Sequence, residues 1–148
     1  MDIKGNINLL GGKLYLNSAA TMGDQSFTGF AATMTYGETI TVGQALYLKT
    51  DGKMWKADAN AATSMPVAMI ALEAGNADEA KNVLLFGYMR NDAWAWTVGG
   101  IIYASLTAGG IVQDVSSFTT GDQVQVLGIA THADRIFFNP NYTLFEIA

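Results

Sequence analysis

The chain has 148 residues, 50% of them hydrophobic and 14% charged, with a net charge of −5 and a pI near 4.5. That length fits one domain with a sizeable core, and the acidic balance argues against nucleic-acid binding, whose affinity comes mainly from clustered Lys and Arg. No cysteine is present, so disulfides and thiolate metal sites are excluded.

Ordinary soluble proteins carry roughly 25% charged residues, so this surface is thinly charged. Either it is partly covered in an assembly, or it is a neutral surface rich in Gly, Ala, Ser and Thr. At the N-terminus, Asn6, Asn8, Gly11, Gly12 and Lys13 interrupt any apolar h-region. No stretch approaches the length of a membrane span. The expectation is a protein made in a cytoplasm and used in a soluble or assembled state, with no membrane partner.

Residues 1–38 are rich in small and polar residues and read as an N-terminal arm. Such a segment buries too little apolar area to offset chain entropy of about 1–2 kcal/mol per residue, so a partner or the core must order it. Ile3, Ile7, Leu9, Leu14 and Leu16 can supply short strands that add to a sheet edge. The alternative is a frayed terminus or an ordinary edge strand of the same domain.

From Thr39 onward, residues 39–148 show short apolar runs separated by turn residues, the pattern of an all-β sandwich or barrel of antiparallel strands. Ala45 to Lys49 and Met54 to Ala57 flank a turn at Thr50-Asp51-Gly52-Lys53. Val67–Leu72 and Val83–Met89 are apolar at successive positions, as central strands are. Between them Gly75–Ala80 is polar, with room for one helical turn capped by Asn76 and Glu79. Strands follow at Ile101–Leu106 and Ile111–Val115. Gln123-Val124-Gln125-Val126 alternates like a half-exposed strand, and Leu127–Ala130 goes deeper. Ile136–Phe138 and Thr143–Ile147, bent at Asn139-Pro140-Asn141, are expected to close the sheet.

A duplication underlies this order. Val42–Asp58 parallels Val98–Asp114, and Val67-Ala68-Met69-Ile70-Ala71 parallels Val126-Leu127-Gly128-Ile129-Ala130. The repeated unit, about residues 42–73 and 98–132, is therefore a hairpin plus a buried strand. Gly-x-x-x-Tyr recurs at Gly11–Tyr15, Gly43–Tyr47 and Gly99–Tyr103, which assigns the tyrosines to packing common to each unit.

Chemistry-bearing clusters are sparse. His132 is the lone histidine, so a metal site would rest on carboxylates; beside Asp134 and Arg135 it reads as a solvated or hydrogen-bonded side chain. Asp78 and Glu79 pair carboxylates in an exposed turn, where hydrolysis would need a cleft. Gly11-Gly12 and Gly109-Gly110 lack the Lys and Ser/Thr of a phosphate loop. No catalytic, cofactor-binding or metal site is therefore assigned. Trp94 and Trp96, two residues apart, share one face if the segment is a strand. They cap the core, or meet a protein or a glycan. Together with Ile3, Ile7 and Leu9 they are the candidate interface residues.

The string Val42-Gly43-Gln44-Ala45-Leu46-Tyr47, Asp51 to Asp58, Pro66 to Leu72, Gly99 to Ser105 and Val126 to Ala130 resembles the small structural proteins of tailed bacteriophages, most of all head decoration proteins. The likeness covers about residues 39–140. It implies a non-enzymatic module, often trimeric, without a cofactor, that binds the major capsid protein on the outer face of the virion head and bridges capsid subunits. Similar modules occur in tail fibres and spikes, where the contact would be a host receptor glycan.

Overall fold

The computed structural model describes Leu10, Tyr15, Leu16 and residues 22–148. The protein is all-β: a curled antiparallel sheet forms a half-barrel, and there is no α-helix among the described residues. The strands are β1 (Phe27–Thr35), β2 (Ala45–Leu48), β3 (Met54–Lys56), β4 (Met69–Ala71), β5 (Ala80–Arg90), β6 (Ile101–Ala104), β7 (Ile111–Val112), β8 (Gln123–Val124), β9 (Val126–His132), β10 (Arg135–Phe138) and β11 (Phe145–Glu146). A single 3₁₀ turn, Ala62–Ser64, interrupts them.

The longest strand, β5, is the spine. Its apolar Val83-Leu84 centre lets it sit between neighbours, and β1 pairs along it from Phe27↔Met89 to Thr35↔Ala80. Phe30 pairs with Phe86 but Ala31 pairs with Leu84, so Leu85 is the extra residue of a β-bulge. Gly29 and Gly87 face each other in this ladder. A Cβ on Gly29 would sit 2.1 Å from the Phe86 carbonyl oxygen, and one on Gly87 2.2 Å from that of Thr28, so both positions require glycine.

The sheet order is β3-β2-β4-β5-β10-β9-β6-β7, with β1 alongside β5. β4 joins β5 through Ile70↔Leu84 and Ala71↔Val83, while β10 joins it from Phe138↔Gly87 to Arg135↔Arg90. The spine therefore carries one three-stranded wing near its start, β3-β2-β4, and another beyond β10, β7-β6-β9. These wings are the two sequence repeats.

Register shows the duplication strand by strand. Ala45↔Ile70 and Leu46↔Met69 in the first wing match Ile101↔Ile129 and Ile102↔Gly128 in the second. Gly43 N–H donates to Ala71 O at 2.8 Å, as Gly99 N–H does to Ala130 O. The two glycines hold φ of +85° and +82°, a left-handed conformation that side chains disfavour. Asp58 and Asp114 each accept from the N–H two residues on, at 2.9 and 2.8 Å, the Asx turn that ends each hairpin. Tyr47 pairs with Trp55 but Tyr103 with Val112, so the return strand of the second hairpin is shifted by one residue.

The main core gathers Ala45, Ile70, Leu84 and Met89 with Ile102, Leu127, Ile136 and Phe138. A second cluster of Tyr36, Ile40, Leu46, Met54, Ala71 and Val83 lies apart from it. Neighbouring residues on a strand point to opposite faces, and Ala45 and Leu46 belong to different clusters. The first wing is thus buried on both sides.

Several expectations change. Of the segment read as an arm, 27–35 is an edge strand of the main sheet and Tyr36 is fully buried. Ile3, Ile7, Leu9 and Leu14 lie outside the described residues. Gln123–Val126 does alternate, with the glutamines on the inner side: Gln123 and Gln125 point inward while Val126 is exposed. The reason is hydrogen bonding. Gln125 Oε1 accepts from Val67 N–H at 2.7 Å, and its Nε2 donates to the carbonyls of Val67 and Asn141. A buried amide that meets three backbone groups removes their desolvation cost, whereas a valine would leave them unpaired.

Gly75–Ala80 forms no helix, although the Glu79 carboxylate does reach back to the Asn76 N–H at 2.9 Å. β11 pairs with β8 as a separate two-stranded ribbon and does not close the main sheet. The recurring tyrosines do not share an environment. Tyr47 packs on the main core, Tyr103 is half-buried outside it, and Tyr15 is exposed, because packing differs between the wings even where register agrees.

Candidate functional site: an open apolar face on the second repeat

In the second wing only one face is covered. Ile102, Leu127 and Ala130 enter the main core, whereas Ile101 and Ile129 are 43% and 40% exposed. The register carries this face across the sheet, since Tyr88 pairs with Phe137, Phe137 with Ile129, and Ile129 with Ile101. Two residues further along β5, Phe86 lies opposite Phe30.

The rings touch one another. Phe86 and Phe137 meet edge-on with centroids 5.1 Å apart, Tyr88 lies 4.9 Å from Phe137, and Phe30 lies 6.2 Å from Phe86. Such pairs contribute about 0.5–1.5 kcal/mol beyond area burial, so the rings are held as a platform. Phe30, 54% exposed, forms its outer rim. Contiguous exposed apolar area of this kind marks interaction sites on soluble proteins. What it can do chemically is displace water from a flat partner.

Trp94 and Trp96 do not lie on a strand; 91–100 is a loop. Their indoles are nevertheless neighbours, 5.7 Å apart, and both pack half-buried against the main core, the capping arrangement. The buried Trp96 Nε1 has no hydrogen-bond partner.

His132 belongs to a charge cluster that local spacing only partly displays. Its Nδ1 is 2.6 Å from Asp134 Oδ1, and Asp134 Oδ2 is 3.1 Å from Arg90 Nε. Arg90 also pairs with Asp92 and donates from Nη1 to the Met22 carbonyl, while Asp92 N–H donates to Asp24 Oδ1. Burial opposes ionisation of Asp134, but the His132 hydrogen bond and the Arg90 charge outweigh it and hold the carboxyl below its usual range. The cluster fastens residues 22–26, with Met22 buried, to the end of β5. Arg135 is buried beside it, and its Nε is without a hydrogen-bond partner.

Asp78 and Glu79 are committed to Lys53 and Lys81 respectively. Glu79 adjoins a shallow hollow of about 280 Å³ lined by Thr39, Ile40, Thr41, Ala74, Gly75 and Asn76. Its carboxylate already accepts from Asn76 and is held below the usual range by that bond and by Lys81, which leaves it a poor proton acceptor. No group of three His, Asp or Glu side chains that could hold a metal occurs among the described residues. None of the described helical segments is long and apolar enough to cross a membrane.

The sequence reasoning missed the open face because its members lie on five strands, and only the cross-strand register assembles them. The signal available was apolar residues at both parities of Val83–Met89, read there as a central strand. Comparison with protein-family models and with curated proteins finds no match to this chain.

Proposed function

We propose that the protein is a non-enzymatic virion structural protein that sits on the outer surface of a phage head, binds the major capsid protein and bridges its subunits. The observation that carries the reading is the open face of Phe30, Phe86, Tyr88, Phe137, Ile129 and Ile101, which is shaped for a flat protein contact. The sparse charge of the chain supports it, and the resemblance of residues 39–140 to head decoration proteins supplies the capsid as partner. That same resemblance takes the working unit to be a homo-oligomer, a trimer. Weak contacts suffice for such a role. Many copies bridging neighbours resist shell opening because each released contact remains at high effective concentration.

Imaging of labelled protein in intact particles, with copy number, tests this. Label spread over the head, and heat-sensitive particles when the protein is lacking, are expected. Label at the tail alone would replace the reading by a fibre or spike domain meeting a host glycan, and absence from particles would end both. Ile101→Lys places a charge at the β6 end of the face and is expected to weaken particle binding strongly while the chain still folds.

A further inference from the structure

We propose that the outer edge of β1 is a strand-addition site for β1 of a second copy, the two strands pairing antiparallel about a two-fold axis. This contact adjoins the capsid-binding face and shares Phe30 with it. Arg90 N–H donates to Ser26 O, and Tyr36 N–H to Glu79 O. Even-numbered residues of β1 therefore turn their backbone groups toward the spine, and the odd-numbered ones, Phe27, Gly29, Ala31, Thr33 and Thr35, turn theirs away. Among the described residues no strand pairs with that second side.

Soluble proteins protect such edges with lysines, prolines or short strands. β1 has none of these. It runs for nine residues, and no Asp, Glu, Lys, Arg, His or Pro occurs from Gln25 through Gly37.

The occupant follows from charge. The chain carries a net −5, which works against approach of a second copy where charge is exposed; this uncharged strand is self-complementary, because antiparallel pairing near Ala31 sets only Gly, Ala, Thr, Met and Phe against one another. It is also continuous with the apolar platform, since Phe30 belongs to both. Size sets the strength. Phe27 and Phe30, the exposed rings of β1, cover about 150–250 Å² each when fully buried, less together than the roughly 800 Å² per partner of a standard stable interface. The contact is therefore weak in solution and gains strength where copies are held side by side. A two-fold contact cannot close a trimer; it joins two copies or two oligomers.

The test uses the full chain. Sedimentation over about 10–500 μM is expected to show concentration-dependent pairing that Ala31→Lys weakens at least tenfold and Ala31→Ser leaves intact, with melting temperature as the check on folding. Because the native chain has no cysteine, single cysteines at 27, 31, 33 and 35 can be oxidised one at a time. Cross-linking is expected to peak at one position and vanish two residues away, where two-fold pairing separates the thiols by about 13 Å. Unchanged mass at all concentrations, association insensitive to Ala31→Lys, or cross-linking uniform along the strand overturns the proposal. Loss of capsid binding by Ile101→Lys with pairing intact separates this contact from the one on the open face.

Discussion

Ala45 and Ile70 in the first repeat are fully buried, while their counterparts Ile101 and Ile129 in the second are 43% and 40% exposed. The pairing that joins each hairpin to its third strand is the same in both, down to the hydrogen bond from the leading glycine. The difference lies in what covers each wing. The first has the second wing on one side and the Tyr36–Ile40 segment on the other; the second has a core on one side only. The lesson is that a duplicated sheet unit inherits its register but not its burial. Large apolar residues at Ile101 and Ile129, where the buried wing has Ala45 and Ile70, are then better explained by a partner than by internal packing.

Paired truncation breaks or sharpens this contrast most strongly. Ile70→Ala removes a fully buried side chain and is expected to cost about 2–5 kcal/mol in urea unfolding, whereas Ile129→Ala is expected to cost under about 1 kcal/mol. Equal losses would show the second face to be covered after all.

Gln125→Ala tests the polar seam between the repeats. It strands the Val67 N–H and two carbonyls, and a loss of about 2–3 kcal/mol is expected.

Tyr36→Phe probes the cap on the first wing, since it deletes the hydroxyl that donates to the Glu73 carbonyl at 2.9 Å. The expected loss is about 1 kcal/mol. Burial, with the Glu73 charge, pushes the Tyr36 hydroxyl up to about 12. Its neutral form is favoured in the fold, so this stability is present below the ordinary tyrosine value of 10 and is lost as pH rises from there through about 12. Melting scans in alkali should show that the variant lacks this part of the decline.

The smallest effect is expected at the Asp134 clasp. A carboxyl held below its unfolded value stabilises the fold above that value and loses the contribution as pH falls through the lowered one. Asp134→Asn should flatten the acid side of the melting curve and expose the backbone at Met22 to hydrogen exchange. An unchanged acid limb would remove the cluster from the account of how residues 22–26 are held.

Much of the strand map was readable before any coordinates. The Gly43 and Gly99 turns, the β2–β3 hairpin, and the strands at 83–89 and 136–138 follow from turn residues and short apolar runs. Trp94 and Trp96 drew notice as large rings close in sequence, and they serve mainly as a core cap. The open face stayed hidden because Phe30, Phe86, Phe137 and Ile129 are far apart along the chain. The burial of Gln123 and Gln125 was not legible, because alternation announces two sides without naming the inner one.

By itself the amino-acid order determined the all-β class, the duplicated unit and its turns, since these depend on local backbone preference and on a two-residue period. Tertiary structure alone decided that β5 would carry both wings, that Gln125 would be buried where Val126 is not, and that one wing would be enclosed and the other left open. Those outcomes depend on contacts between distant segments, where burial is set by which face meets another and by which buried polar groups find partners.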